Sequence, residues 1–405
     1  MDPFLAFLAT VIFVSLIIPR LGPFLSLVTS SIIFGLLVGM GGELQGYVST
    51  GLSRIFSSLA VVVFSGALLA EYLRSTQSLD RIVADLGRLA DKSLAISGAA
   101  GYLISLPVMC SITAYMILQP VVSGLAGKSS DNRKRALFMT AACSIISFNL
   151  IYPSPVMITL SAGLGAAQRD LLIRAVPISL ILFALAYILM QHSFPGKAEC
   201  KEITNPPAIS RSRAWAPLLL PIAMILLGSI LPEKARILAD PGIALLLGAI
   251  LGLALERKRM QELVHVASRR SGVILLDLCG AGAFGYVVAQ SDLPAEIFHL
   301  GHFLPALLLP FLLSAVLQLA QGSRVVTATV AAQILAGYPL PAATLALLIA
   351  SGAFMFSYVT DPFFWLIKSS TGASMKETVL GYTLPLSLLG LAAFALAAIS
   401  SILIV

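Results

Sequence analysis

Leu319-Ala-Gln-Gly-Ser-Arg-Val-Val-Thr327 and Ser357-Tyr-Val-Thr-Asp-Pro-Phe-Phe-Trp365 decide the fold class of this chain. Both stretches lie inside sequence apolar enough for a bilayer, and each interrupts it with Gly, Ser, Thr or Pro and an ionisable side chain. A helix that only faces lipid has no use for these residues. Backbone that leaves the helix at membrane depth must be buried in protein or line a wet cavity, because each free N–H or C=O costs several kcal/mol in hydrocarbon. Broken helices near the midplane are how secondary transporters build substrate sites. The expected fold is therefore all-α and polytopic.

Composition agrees. The chain is 58% hydrophobic and 11% charged, with mean hydropathy +0.96, whereas a soluble domain carries about 25% charged residues. Apolar runs recur from 3–19 to 382–404. Met1-Asp2-Pro3 lacks the basic start of a signal peptide. A net charge of +7 is explained by basic loops on the inner face, so no nucleic-acid partner is implied. Cys110, Cys143, Cys200 and Cys279 show no ligand spacing, so no metal, cofactor or disulfide is expected. No Gly-x-Ser-x-Gly elbow, phosphate loop or His/Asp/Glu cluster suggests an enzyme. A purely structural membrane protein would have no purpose for broken helices at mirrored positions.

Residues 192–213, with four prolines and glycines and several basic residues, read as a cytoplasmic linker between two repeats, 1–191 and 214–405. Gly66-Ala67 and Ser75 recur 216 residues later as Gly282-Ala283 and Ser291. The Pro break Ser147–Pro155 has a counterpart in Ser357–Pro362. Loop 42–56 carries only Arg54, but its counterpart 256–271 carries Arg257, Lys258, Arg259, Arg269 and Arg270. The positive-inside rule puts equivalent loops on opposite sides, so the repeats are inverted. Segment 93–127 then becomes one helical hairpin, and 303–340 its mirror image from the other face. The basic stretch 256–271 reads either as an amphipathic helix on anionic lipid or as a solvated linker.

These motifs resemble the gluconate:proton symporter family of the ion-transporter superfamily. Ala320-Gln-Gly-Ser323 matches that family's stretch, as does Asp361 followed by Phe364-Trp365-Leu366, Lys368, Gly372, Ser374 and Lys376-Glu377-Thr378. Gly280, Gly282, Ala283, Phe284 and Gly285 look like its Gly-rich span, and Pro153 and Pro155 like its Pro-rich break. The resemblance implies a multi-pass permease of the inner membrane. It would drive small hydroxy-carboxylates such as gluconate with protons, between two hairpins of a moving domain on a dimeric scaffold. The chain departs from the pattern at Arg324 (a small residue in the family), at Thr360 and Tyr358 (Asn and His in the family), and near Ser111, where an acidic residue is missing. A cation:proton antiporter of the same superfamily is the competing class, though it would call for clustered carboxylates.

The expected site follows. Asp361, a carboxylate beside Pro362 in an unwound segment, is the expected proton-coupling residue; a helix-cap role is the alternative. Gln321, Gly322 and Ser323 form an expected hairpin tip, with Thr327 and Thr360 adding hydroxyls for the substrate. Arg324 either grips a substrate carboxylate, pairs with Asp361, or reaches the outer surface. Ser111, Thr113, Asn149 and Ser154 are the mirror candidates in the first half. Asp277 and Glu71 offer a second proton path or pair with basic loops, and His192 is a span-end histidine or a pH sensor.

Overall fold

The computed structural model describes residues 2–87, 93–126, 129–193, 209–227, 237–301, 304–358 and 360–403, and every regular element among them is helical. The first half runs α1 (Pro3–Leu37), α2 (Leu44–Ser75), α3 (Ser78–Gly87), α4 (Ser93–Val108), α5 (Ser111–Leu125), α6 (Ser130–Leu150), α7 (Pro155–Leu164) and α8 (Gln168–Ser193). The second runs α9 (Arg211–Leu227), α10 (Pro241–Leu255), α11 (Met260–Ala289), α12 (Leu293–Gly301), α13 (Leu308–Gln321), α14 (Arg324–Ile334), α15 (Ala342–Gly352), α16 (Pro362–Thr371), α17 (Met375–Thr378) and α18 (Leu384–Leu403). Six helical stretches among the described residues are long and apolar enough to cross a membrane.

The order repeats. A long helix (α2, α11) and a short one (α3, α12) lead into a hairpin (α4–α5, α13–α14). A helix broken at proline follows (α6–α7, α15–α16), and a closing span ends each half (α8, α17–α18). Each break restarts a helix with the same device. Ser154 caps α7 with Pro155 next, its Oγ accepting from the Met157 N–H at 3.2 Å. Asp361 caps α16 with Pro362 next, its Oδ1 accepting from the Phe363 N–H at 2.9 Å. Proline lacks only an N–H that the first turn would leave unbonded anyway, and the cap oxygen meets one that remains. Gly22, at φ +75°, breaks α1 where the sequence divides two apolar runs.

Helices α2 and α11 form the frame. A Cβ on Gly51 would lie 2.4 Å from the Gly282 carbonyl oxygen, and one on Gly282 would lie 2.5 Å from that of Gly51. The two backbones therefore touch where both residues lack side chains, the close small-residue crossing typical of membrane helices. Helix α6 lies at the centre and is buried at every position from Arg135 to Leu150. Exposed leucines and isoleucines of α1, α8 and α18 provide a lipid-facing surface.

Two expected loops are helix instead. Residues 44–56, read as loop, open α2, because Leu44, Gly51 and Ile55 bury in the frame. Segment 260–271, within the stretch read as a surface helix or a linker, is helix continuous with a span. It forms the first turns of α11, where Leu263 and Ala267 pack on Leu68 and Ala249. The linker expected at 192–213 narrows to the interval between Ser193 and Arg211, of which 194–208 lie outside the described residues, as does the His192 side chain.

Candidate substrate site

A cavity of about 240 Å³ lies where the two hairpins and the two breaks meet. Four helices start on it: α5 at Ser111, α7 at Pro155, α14 at Arg324 and α16 at Pro362. Cys110, Ser154 and Asp361 each cap one first-turn N–H, and every helix start still presents, in round terms, +0.5 charge, so a space shared by four of them favours an anion. Two are hairpin tips and two are restarted broken helices, one of each per repeat. The recurrence of hairpin and broken helix in both halves is what brings four N-termini to one point.

The tip of the second hairpin touches the second break. Gly322 has φ +67°, and a Cβ there would lie 2.1 Å from the Thr360 carbonyl oxygen. Only glycine permits both the turn and the approach. Thr360 completes the contact by donating its hydroxyl to the Leu319 carbonyl at 2.7 Å. The first tip turns at Met109, φ +55°, and Cys110 caps α5, its Sγ accepting from the Thr113 N–H at 3.4 Å.

Arg324 is the centre of charge. Its Nη2 donates to Ser357 Oγ at 2.5 Å, to Asp361 Oδ2 at 3.2 Å and to the Tyr382 hydroxyl at 3.4 Å. Tyr382 in turn donates to Asp361 Oδ2 at 3.3 Å. Side-chain exposure is 4% for Arg324 and 1% for Asp361, so this is a fully enclosed ion pair. Of the three roles open to Arg324, pairing with Asp361 is the one adopted. Tyr382 comes from a π-turn, Val379–Thr383, that joins α17 to α18, an irregularity often found at functional positions. Arg324 Nε, Gln321 Oε1 and Gln321 Nε2 are buried with no hydrogen-bond partner. Unmet buried polar atoms cost about 1–3 kcal/mol each, and here they cluster at the residues that line the cavity.

The cavity wall gathers Ser111, Gln321, Gly322, Ser323, Arg324, Thr360 and Asp361 from the expected site. It does not gather four others. The Thr327 hydroxyl donates across the hairpin to Gln318 Oε1 at 3.1 Å. Asn149 Nδ2 donates to the Ala350 carbonyl at 2.6 Å, tying one broken helix to the other. Ser154 serves as a cap, and Thr113 stands on α5 away from the lining. The cavity adds Asp277 of α11, whose Oδ1 accepts from the Phe24 N–H at 3.2 Å. Glu71, weighed beside it, is held by Arg74 at 2.5 Å and Arg270 at 3.0 Å on the basic face. Ser357 and Tyr382 were not foreseen as partners of Arg324. Tyr382 lies 21 residues beyond Asp361, on an irregular turn that no periodicity marks.

The sequence matches the GntP family permease over residues 3–403. The chain belongs to the GntP permease family. Among its relatives, the low-affinity gluconate transporter of Escherichia coli K12 is 25% identical over 414 residues, covering 92% of this chain and 91% of the relative. A gluconate permease of Bacillus licheniformis is 26% identical, covering 90% and 91%. The D-serine transporter DsdX of Escherichia coli K12 is 24% identical, covering 89% of each chain. The crystal structure of the Alcanivorax borkumensis YdaH transporter, described as having an unusual topology, aligns with TM-score 0.59 over 99% of this chain and 98% of that one, at 17% identity. That likeness shows a shared fold alone. This GntP permease is thus an all-helical, multi-pass protein of the inner membrane and a transporter, not an enzyme.

Proposed function

We propose that this permease carries a small hydroxylated monocarboxylate, gluconate or a close analogue, into the cell together with a proton. The observation that carries the reading is the convergence of four helix N-termini and Arg324 on one cavity. Such a site recognises a carboxylate. The unbonded hydroxyls of Ser111 and Ser323 and the amide of Gln321 suit the hydroxyl groups beside it. At about 240 Å³ the cavity is smaller than the roughly 300–1,000 Å³ of sites for drug-sized ligands, so the cargo is a small metabolite. The names of the gluconate-carrying relatives agree.

Coupling follows from the ion pair. A substrate carboxylate arriving at Arg324 competes with Asp361 for the guanidinium. A proton carried with the substrate would then replace the counter-charge that Asp361 loses. Anion and proton therefore enter together and leave together. The hairpins and broken helices would move against the α2–α11 frame to expose the cavity to each side in turn.

Asp277 favours a second reading. An amino acid presents a carboxylate to Arg324 and an ammonium to a carboxylate on another wall, and Asp277 lines the same cavity from α11. DsdX, by its name, carries D-serine. Uptake into proteoliposomes under an inward proton gradient decides between the two, using labelled gluconate and labelled D-serine with and without a protonophore. Protonophore-sensitive gluconate uptake supports the first reading. D-serine uptake that Asp277→Asn abolishes supports the second. Uptake of neither, with sodium- or potassium-dependent loss of the proton gradient, would replace both with antiport.

A further inference from the structure

A second, larger cavity of about 470 Å³ lies between the frame and the moving parts, on the face away from the basic loops. Its walls come from α2, α7, α11 and α14. Arg54 is its one cation, and no aspartate or glutamate lines it. The Arg54 guanidinium lies over the Tyr286 ring, 4.6 Å from the centroid, which fixes the group in place without neutralising it. Glu43 accepts from the Tyr47 hydroxyl and Glu296 from the Phe4 N–H at 3.1 Å, and Asp292, between Gln290 and Pro294, is exposed and not part of the wall. Thr159 Oγ1 and Gln333 Oε1, both on lining residues, are buried without a partner. Gln290 adds an exposed amide at the rim.

We propose that this vestibule is a second binding site, for a small organic anion, with Arg54 as its charge anchor and Thr159, Gln290 and Gln333 as hydrogen-bonding partners. Apolar cavities need no such residues, and a cation with carboxylates beside it would be self-satisfied. This one has a stacked, unneutralised guanidinium and polar atoms without partners. Its position gives it a use. The central cavity is lined by Pro155 of α7 and by Arg324 to Val326 of α14, while the vestibule is lined by Thr159 to Gly163 and Thr329 to Gln333 of the same two helices. An anion held at Arg54 therefore waits at the far end of the helices whose first turns form the transport site. That use rests on the transport reading above; the binding site itself does not.

Charge-selective labelling tests it without any assumed substrate. The full chain, with Cys110, Cys143, Cys200 and Cys279 replaced by alanine and carrying Gln290→Cys, is reacted in detergent with two methanethiosulfonates of similar size. One bears a sulfonate and the other a trimethylammonium. The sulfonate should react faster by at least about fivefold relative to free cysteine, and the preference should shrink in high salt. Arg54→Gln should abolish it and Arg54→Lys should keep it. An unchanged ratio in Arg54→Gln overturns the proposal. Gluconate plays no part in the assay, so a failure of the transport reading would leave this result standing.

Discussion

The guanidinium of Arg324 and the carboxylate of Asp361 meet 3.2 Å apart, one from the second hairpin tip and the other from the second broken helix, both nearly closed to solvent. Neither charge can be removed alone without stranding the other.

Asp361→Asn should therefore leave a buried, unpaired Arg324. Loss of one partner from an enclosed pair costs about 3–5 kcal/mol, so the melting temperature should drop. Substrate binding should persist or tighten, because Arg324 has lost its competitor, while uptake no longer responds to a proton gradient. Binding measured by calorimetry together with protonophore-sensitive uptake checks this. Uptake that still collapses with a protonophore would remove Asp361 from coupling.

Arg324→Lys keeps the charge but not the fork. Arg324 reaches Ser357, Asp361 and Tyr382 through one nitrogen, and lysine cannot present a second nitrogen to a carboxylate. Affinity for the transported anion should fall by at least tenfold, about 1.4 kcal/mol, with folding nearly intact. An unchanged Kd would place the substrate carboxylate elsewhere.

Gly322→Ala tests the tip. The left-handed backbone costs about 1–2 kcal/mol for a residue with a Cβ, and that Cβ would overlap the Thr360 carbonyl. The hairpin must lift from the break, so transport should fall at least tenfold while the protein still inserts and purifies as a monodisperse species. Full activity would mean that the tip contact is dispensable.

Asp277→Asn separates the two cargo chemistries. For a carboxylic acid, removing a negative charge from the cavity wall should lower KM and flatten the pH profile of uptake. For an amino acid, it should remove the ammonium partner and abolish uptake. The sign of the KM change, measured with gluconate and D-serine in parallel, reads out which applies.

The fold was legible because bilayer physics leaves few reasons for Gln321-Gly322-Ser323 or Thr360-Asp361-Pro362 inside an apolar run. Helix ends were less so: residues 44–56 and 260–271 looked polar enough for loops, yet Gly51 and Leu263 bury on frame partners far away in sequence. At the site, the tip and the break were legible because turn chemistry is local. Thr327 and Asn149 were chosen for their hydroxyl and amide, but which face of a helix meets a cavity depends on tertiary packing, and both bond to protein instead. Tyr382 and Ser357 could not be read at all, since only the folded chain brings them to Arg324.

The two cavities share helices, and this sets the thickness of what parts them. Along α14 the central cavity ends at Val326 and the vestibule begins at Thr329; along α7 the same boundary falls between Pro155 and Thr159. At about 1.5 Å per residue, the septum is roughly 4.5–6 Å deep, about a single helical turn. The hydrocarbon slab it helps to seal is about 30 Å across. Within that one turn the same backbone walls both cavities, so any shift of α7 or α14 that reshapes one must reshape the other.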